Sequence, residues 1–224
     1  MAERTFDAEL ESLNAGILKM GELVSSSIFE CIEALKSRNE SLSKAVIDND
    51  KKIDALELEI NDVCITLLAT RQPMAGDLRF ITTAMSIATD LERMGDLSVD
   101  IAEKTLELLK WPLLKPLIDI PKLAETAKAM ICGTLDSFVK RDWTKIGSIH
   151  DLEKEADRLR DLVTDELSNI MMKDPQTVPR AVPLLLIARF LERICDHAMN
   201  IAEDVVYMVE AKVIKHRKAA QNPQ

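Results

Sequence analysis

Apolar residues recur at three- and four-residue intervals along almost the whole chain, the spacing that lines one face of an α-helix. The breaks in this pattern predict six long helices. The first runs from about Thr5 to Arg38, and the second from near Ser41, where Ser or Asn can cap, to the turn Arg71-Gln72-Pro73. The third follows Gly76-Asp77, with Asp77 as its cap, and reaches about Lys110. Trp111-Pro112-Leu113-Leu114-Lys115-Pro116 is the one evident linker, and Pro121 opens the next segment. A fourth helix over about 121–140, a fifth over about 142–173 capped by Asp142, and a sixth from Thr177 to about His216 complete the set. Pro183, two turns into the sixth, removes a backbone donor and is placed to kink it.

These helices form an internal repeat. LERMGDLSVDIAE, residues 91–103, aligns with LERICDHAMNIAE, residues 191–203, at an offset of 100, with identity at Leu, Glu, Arg, Asp, Ile, Ala and Glu. Upstream, DNDKKIDALE (48–57) aligns with DLEKEADRLR (151–160) at an offset of 103. The three-residue difference falls in turns, where changes of length are tolerated. The expected fold is therefore all-α: two tandem, pseudo-symmetric three-helix bundles, residues 1–112 and 113–224.

Charge changes the picture next. The chain has 29 basic and 38 acidic residues, a formal charge of −9, and no long basic block. That balance disfavours nucleic acid, whose phosphates require neutralisation. An acidic helix face is ordinarily a solvated one, but here the acids share sectors with apolar residues. On a helical wheel with Glu92 at zero, Asp96 lies near 40° and Glu103 near 20°, while Ile81, Met85 and Val99 lie within about 20° of the origin. Glu192, Asp196 and Glu203 repeat the arrangement beside Leu185, Met199 and Val206. Asp50, Asp54 and Glu57 mingle with Ile53 and Cys64; Glu153 and Asp157 mingle with Ile149 and Ala156. Hairpin register then brings the sets together. Asp54 lies 19 residues before Pro73 and Glu92 lies 19 after it, and Asp50 and Asp96 are both 23 away. About Pro175, Asp157 meets Glu192 and Glu153 meets Asp196.

Carboxylates gathered in a partly apolar groove cannot all stay ionised without a counterion. Arg93 and Arg193 point about 100° away from the neighbouring glutamates, so they neutralise only part of each cluster. Oxygen-rich clusters suit hard cations: magnesium, manganese, calcium or iron, with zinc admissible. A ferritin-like di-iron enzyme requires Glu-x-x-His on two helices. Here Gly147, Ile194 and Val213 stand three residues before His150, His197 and His216, so that motif is absent. His197 follows Asp196 directly and is expected on the surface, away from the acids. No nucleophile motif or glycine-rich phosphate loop is present. The four cysteines are isolated and expected to be reduced and mostly buried. The basic end, Lys212, Lys215, His216, Arg217 and Lys218, complements the dipole of the last helix. With no signal-like amino terminus and no run near the ~20 apolar residues of a membrane span, a soluble, cytoplasmic protein is expected.

At its LERMGD…IAE and LERICDHAMNIAE segments the chain resembles the PhoU family, accessory regulators of bacterial phosphate uptake. The likeness extends over nearly the whole length and includes the spacing E-x-x-x-D at Glu92/Asp96 and Glu192/Asp196, with Asp50/Asp54 and Glu153/Asp157 on the preceding helices. It implies multinuclear metal sites on Asp50, Asp54, Glu57, Glu92, Asp96, Asp100, Glu153, Asp157, Glu192 and Asp196, filled by divalent or ferric ions such as iron, manganese, magnesium or zinc. It also implies a non-enzymatic, often homodimeric regulator. Such a protein acts between the ATPase subunit of the phosphate ABC transporter and the phosphate-sensing histidine kinase, restraining uptake and the starvation response. Exact symmetry fails where Asp100 is matched by Asn200 and Glu57 by Arg160. The second site is thus two acids poorer and should hold fewer metals or hold them more weakly. A carboxylate-bridged metalloenzyme and a purely structural helical adaptor are the alternative readings.

Overall fold

The structure, a computed structural model, describes residues 2–213, with side chains from Phe6 onward. Six helices fill that span: α1 (Ala2–Ser37), α2 (Glu40–Arg71), α3 (Ala75–Leu108), α4 (Asp119–Lys140), α5 (Ile146–Lys173) and α6 (Val178–Glu210). A 3-10 turn over Pro175–Thr177 precedes the last. The described residues thus form an all-helical fold of two three-helix units.

Helix ends follow from local chemistry, and three of them differ from the sequence expectation. Asn39 caps α2, its side-chain oxygen accepting from the Leu42 N–H at 3.1 Å. Asp77 is not the cap of α3. Met74 holds that position without a side-chain acceptor, and Asp77 lies within the first turn, where its charge meets the positive end of the helix dipole. Asp142 closes a turn of its own by accepting from the Thr144 N–H at 2.9 Å and its hydroxyl at 3.0 Å, so α5 begins only at Ile146. Helix α6 stops at Glu210, where Ala211 turns left-handed at φ 55°. Lys212 pairs with Glu210 at 3.1 Å, whereas Lys215, His216, Arg217 and Lys218 lie outside the described residues. Pro183 is buried inside α6, and the helix continues through it.

Helices α3 and α6 form the centre. Fifteen residues of α3 and sixteen of α6 are buried, against seven of α2 and five of α5, because the central pair is enclosed by neighbours on several sides. Small buried residues of α3 serve its other neighbours: a Cβ on Gly95 would meet Asp50 and Ile53 of α2, and the Ser98 carbonyl accepts from Cys31 Sγ of α1 at 3.0 Å. The central pair runs antiparallel. Arg79 Nε donates to the Met208 carbonyl at 3.0 Å, Ser86 Oγ to Asp204 Oδ2 at 2.5 Å, and His197 Nδ1 stands 2.8 Å from Asp90 Oδ1. Helix α2 packs on α1 and α3, and α5 on α4 and α6, so these two lie on opposite flanks.

Further contacts fasten one unit to the other. Phe80 of α3 stacks on Phe138 of α4, with ring centroids 5.0 Å apart and planes 8° from parallel, and the Arg141 guanidinium covers the Phe80 ring at 4.6 Å. The connector between α3 and α4 is tied down as well. Arg38 Nη2 donates to the carbonyls of Leu109 (3.0 Å) and Trp111 (2.7 Å), and buried Lys115 is ion-paired with Glu166 of α5. One buried apolar cluster runs through all six helices. Both phenyl rings are fully buried, so Phe138→Ala is expected to destabilise the whole chain by about 3–5 kcal/mol. Urea unfolding followed by circular dichroism should show one transition shifted to lower denaturant; an early transition in the second unit alone would contradict the shared core.

Candidate metal centres

The antiparallel hairpin of α2 and α3 carries the first acidic cluster. Asp50 lies beside Asp54 and Asp96, and Glu92 lies among Asp54, Glu57 and Asp96, the facing pairs that hairpin register anticipates. Close approach of the two helices depends on Gly95. A Cβ there would stand 2.9 Å from Asp50 Oδ1 and 3.2 Å from two carbons of Ile53, so the carboxylate of Asp50 rests almost on the α3 backbone. The cluster occupies the edge of the groove rather than its floor: Glu92 is 20% exposed and Asp96 47%. Glu57 accepts from Asn61 Nδ2 and Thr89 Oγ1, each at 3.3 Å. The cation in reach is Arg93, whose guanidinium lies 3.4 Å from Glu92 and 3.1 Å from Asp96 on the outer side of α3.

The electrostatic result is an unbalanced negative charge. Burial, then the neighbouring Asp54 and Asp96, push the Asp50 carboxyl up to about 6. Burial and the Asp96 charge also raise Glu92, and burial with Glu103 and Asp96 raises Asp100, which the nearby Arg193 of α6 holds down in part.

The hairpin of α5 and α6 carries the second cluster. Asp196 lies among Glu192, Asp157 and Glu153, and burial with those three charges lifts its carboxyl to about 6. This cluster contains cations. Arg160 places its guanidinium 3.3 Å from Asp157 Oδ1, 3.2 Å from Asp161 Oδ1 and 3.9 Å from Glu192 Oε1, and His150 Nδ1 stands 2.8 Å from Glu153 Oε2. Sequence reasoning noted Arg160 only as a missing acid and gave His150 no part. Its spacing, three residues before Glu153, was the available signal. His197 is corrected: it is half-buried against Asp90, holding α3 to α6. Cys31, Cys64 and Cys195 are buried and Cys132 is exposed, all four as free thiols.

The repeat seen in these hairpins is matched twice by the PhoU domain profile, over residues 17–105 and 120–205. The chain belongs to the PhoU family. A PhoU homolog of Clostridium acetobutylicum, a phosphate-specific transport system accessory protein, is 34% identical over 216 residues, which cover 96% of this chain and 98% of that protein. Crystal structures of PhoU from Pseudomonas aeruginosa and of the phosphate transport system regulatory protein PhoU from Streptococcus pneumoniae superpose with TM-scores of 0.88 and 0.86. Their identities are 33% and 28%; the matches cover 92% and 94% of this chain, and 100% and 99% of theirs.

Membership in the PhoU family makes the donor set a question of fit. Among the described residues no three His, Cys, Asp or Glu side chains converge tightly enough to grip one ion as they stand. The first cluster fits in chemistry nonetheless. Its donors are carboxylate oxygens on two facing helices, its charge is only partly compensated by Arg93 and Arg193, and Gly95 leaves Asp50 pressed into the groove. In the second cluster the space among the acids already holds a guanidinium.

Raised carboxyls make the metal-free folded state bind more protons than the unfolded chain between about pH 4 and 6. Stability from this source is present below that window and lost as pH rises through about 6. Asp50→Asn in chelator-treated protein should therefore raise the melting temperature at pH 7.5 by a few degrees, about 2–4 °C, and leave it nearly unchanged at pH 4.5. A thermal melt series across pH checks this; an equal effect at both ends would contradict it.

Proposed function

We propose that this chain is a non-enzymatic accessory regulator of phosphate uptake. It restrains the phosphate-starvation response by acting as a cytoplasmic homodimer between the ATPase subunit of the phosphate ABC transporter and the phosphate-sensing histidine kinase. The observation that carries this reading is the match of both repeats, over nearly the full length, to proteins named for the phosphate-specific transport system. One feature agrees with an accessory role: no described helix is long and apolar enough to cross a membrane.

The second part of the proposal is that Asp50, Asp54, Glu57, Glu92, Asp96 and Asp100 hold a hard cation. Bound there, a di- or trivalent ion would supply the missing positive charge between α2 and α3. The chain's own part is to deliver oxygens from both helices at one level and, through Gly95, to keep those helices close. Loss of a proton from Asp50 precedes its use as a ligand, so metal affinity should rise through about pH 6.

Protein purified without chelator should contain manganese, iron or zinc by elemental analysis, and adding Mn²⁺ to the stripped chain should raise its melting temperature. Glu92→Ala/Asp96→Ala should lose both effects. No bound metal together with no thermal response would sink the metal reading. In the native host, deleting the gene should switch on phosphate-starvation genes in phosphate-rich medium, with repression restored by the full chain. An unchanged transcript profile would sink the regulatory reading.

A further inference from the structure

The two acidic clusters occupy equivalent places yet differ in what stands among the carboxylates. At the position of Glu57 the second unit has Arg160, and at the position of Ile47 it has His150. Arg160 is half-buried, its side chain 28% exposed, and its guanidinium bridges Asp157 on α5 and Glu192 on α6 with Asp161 on its other side. That is the level at which the first unit sets Asp54 against Glu92. His150 meets Glu153 one turn away. In the first unit Arg93, 58% exposed, pairs with Glu92 and Asp96, Arg193 and Lys104 lie near Asp100, and Glu57 accepts from the neutral donors Asn61 and Thr89.

We propose that the second acidic cluster carries its counter-cation in the chain itself, the Arg160 guanidinium, and takes no metal, leaving the first cluster as the one metal centre. The proposal rests on the metal reading of the first cluster given above. A guanidinium stays charged at every physiological pH and presents a planar fork of N–H donors matched to carboxylate oxygens. It donates to Asp157 at 3.3 Å, stands within ion-pair distance of Glu192 at 3.9 Å, and repels a divalent ion from the same space.

Mn²⁺ titration of the full chain, read by native mass spectrometry, tests the assignment. Asp54→Asn/Glu92→Gln should weaken Mn²⁺ binding by about tenfold or more, whereas Asp157→Asn/Glu192→Gln should leave it within about twofold. Arg160→Glu should gain additional Mn²⁺, lost again when Asp157→Asn is added. A wild-type chain that loses about half its Mn²⁺ in Asp157→Asn/Glu192→Gln would overturn the proposal. A chain that takes up none overturns the metal reading of the first cluster instead, and a metal-free arm then decides the role of Arg160. In chelator, Arg160→Met should melt a few degrees lower, about 2–4 °C, with Arg160→Lys restoring most of the loss. An unchanged melting temperature in Arg160→Met, or an equal loss in Arg160→Lys, assigns the residue to packing or to nothing and overturns its role as counter-cation.

Discussion

Close antiparallel contact between α3 and α6 is the constraint on which the molecule depends. The ties from Arg79 to the Met208 carbonyl, from Ser86 to Asp204 and from His197 to Asp90 set the sliding register of the two helices. With that register set, α2 and α5 can pack only on opposite flanks, each against its own central helix. A partly buried polar pair contributes modestly to stability, but it penalises wrong registers because displacement leaves a carboxylate without its partner.

Within each flank, apolar packing and charge oppose one another. Ile53, Leu56 and Ile60 draw α2 onto the core, and in doing so bring Asp50 and Glu57 towards acids on α3 that repel them. The repulsion is held to the rim, where solvent screens it; the acids are half-buried or exposed, never fully enclosed. The same groove in the second unit is relieved by Arg160 and His150. One scaffold thus holds two grooves of similar shape and different charge balance.

Much of this was legible in the sequence. Six helices, the duplication and the facing of Asp54 with Glu92 follow from periodicity and turn position, because a hairpin of regular helices leaves little freedom of register. Helix starts were less legible: Asp77 and Asp142 both have a cap's chemistry, but one lies inside its helix and the other closes a turn with Thr144. His197 was misplaced because its neighbour across the central seam, Asp90, is 107 residues away in sequence, and a wheel drawn for one helix contains no partner helix. Arg160 was counted only as a lost acid for a related reason. Alignment shows which residue is absent, while the side chain's reach towards Glu192 is a property of three dimensions.

The relation of α3 to α6 is that of an isologous dimer interface whose two subunits have been joined through a connector strapped down by Arg38 and Lys115. In a true dimer of one short chain every substitution appears twice, and both grooves must carry the same side chains. Joining the copies removes that obligation. Gly95 can then keep its small size while its counterpart becomes Cys195, and Glu57 can remain an acid while its counterpart becomes a cation. Covalent linkage is, in this sense, what permits the molecule to be lopsided: an approximately two-fold frame whose halves hold opposite answers to the same crowding of charge.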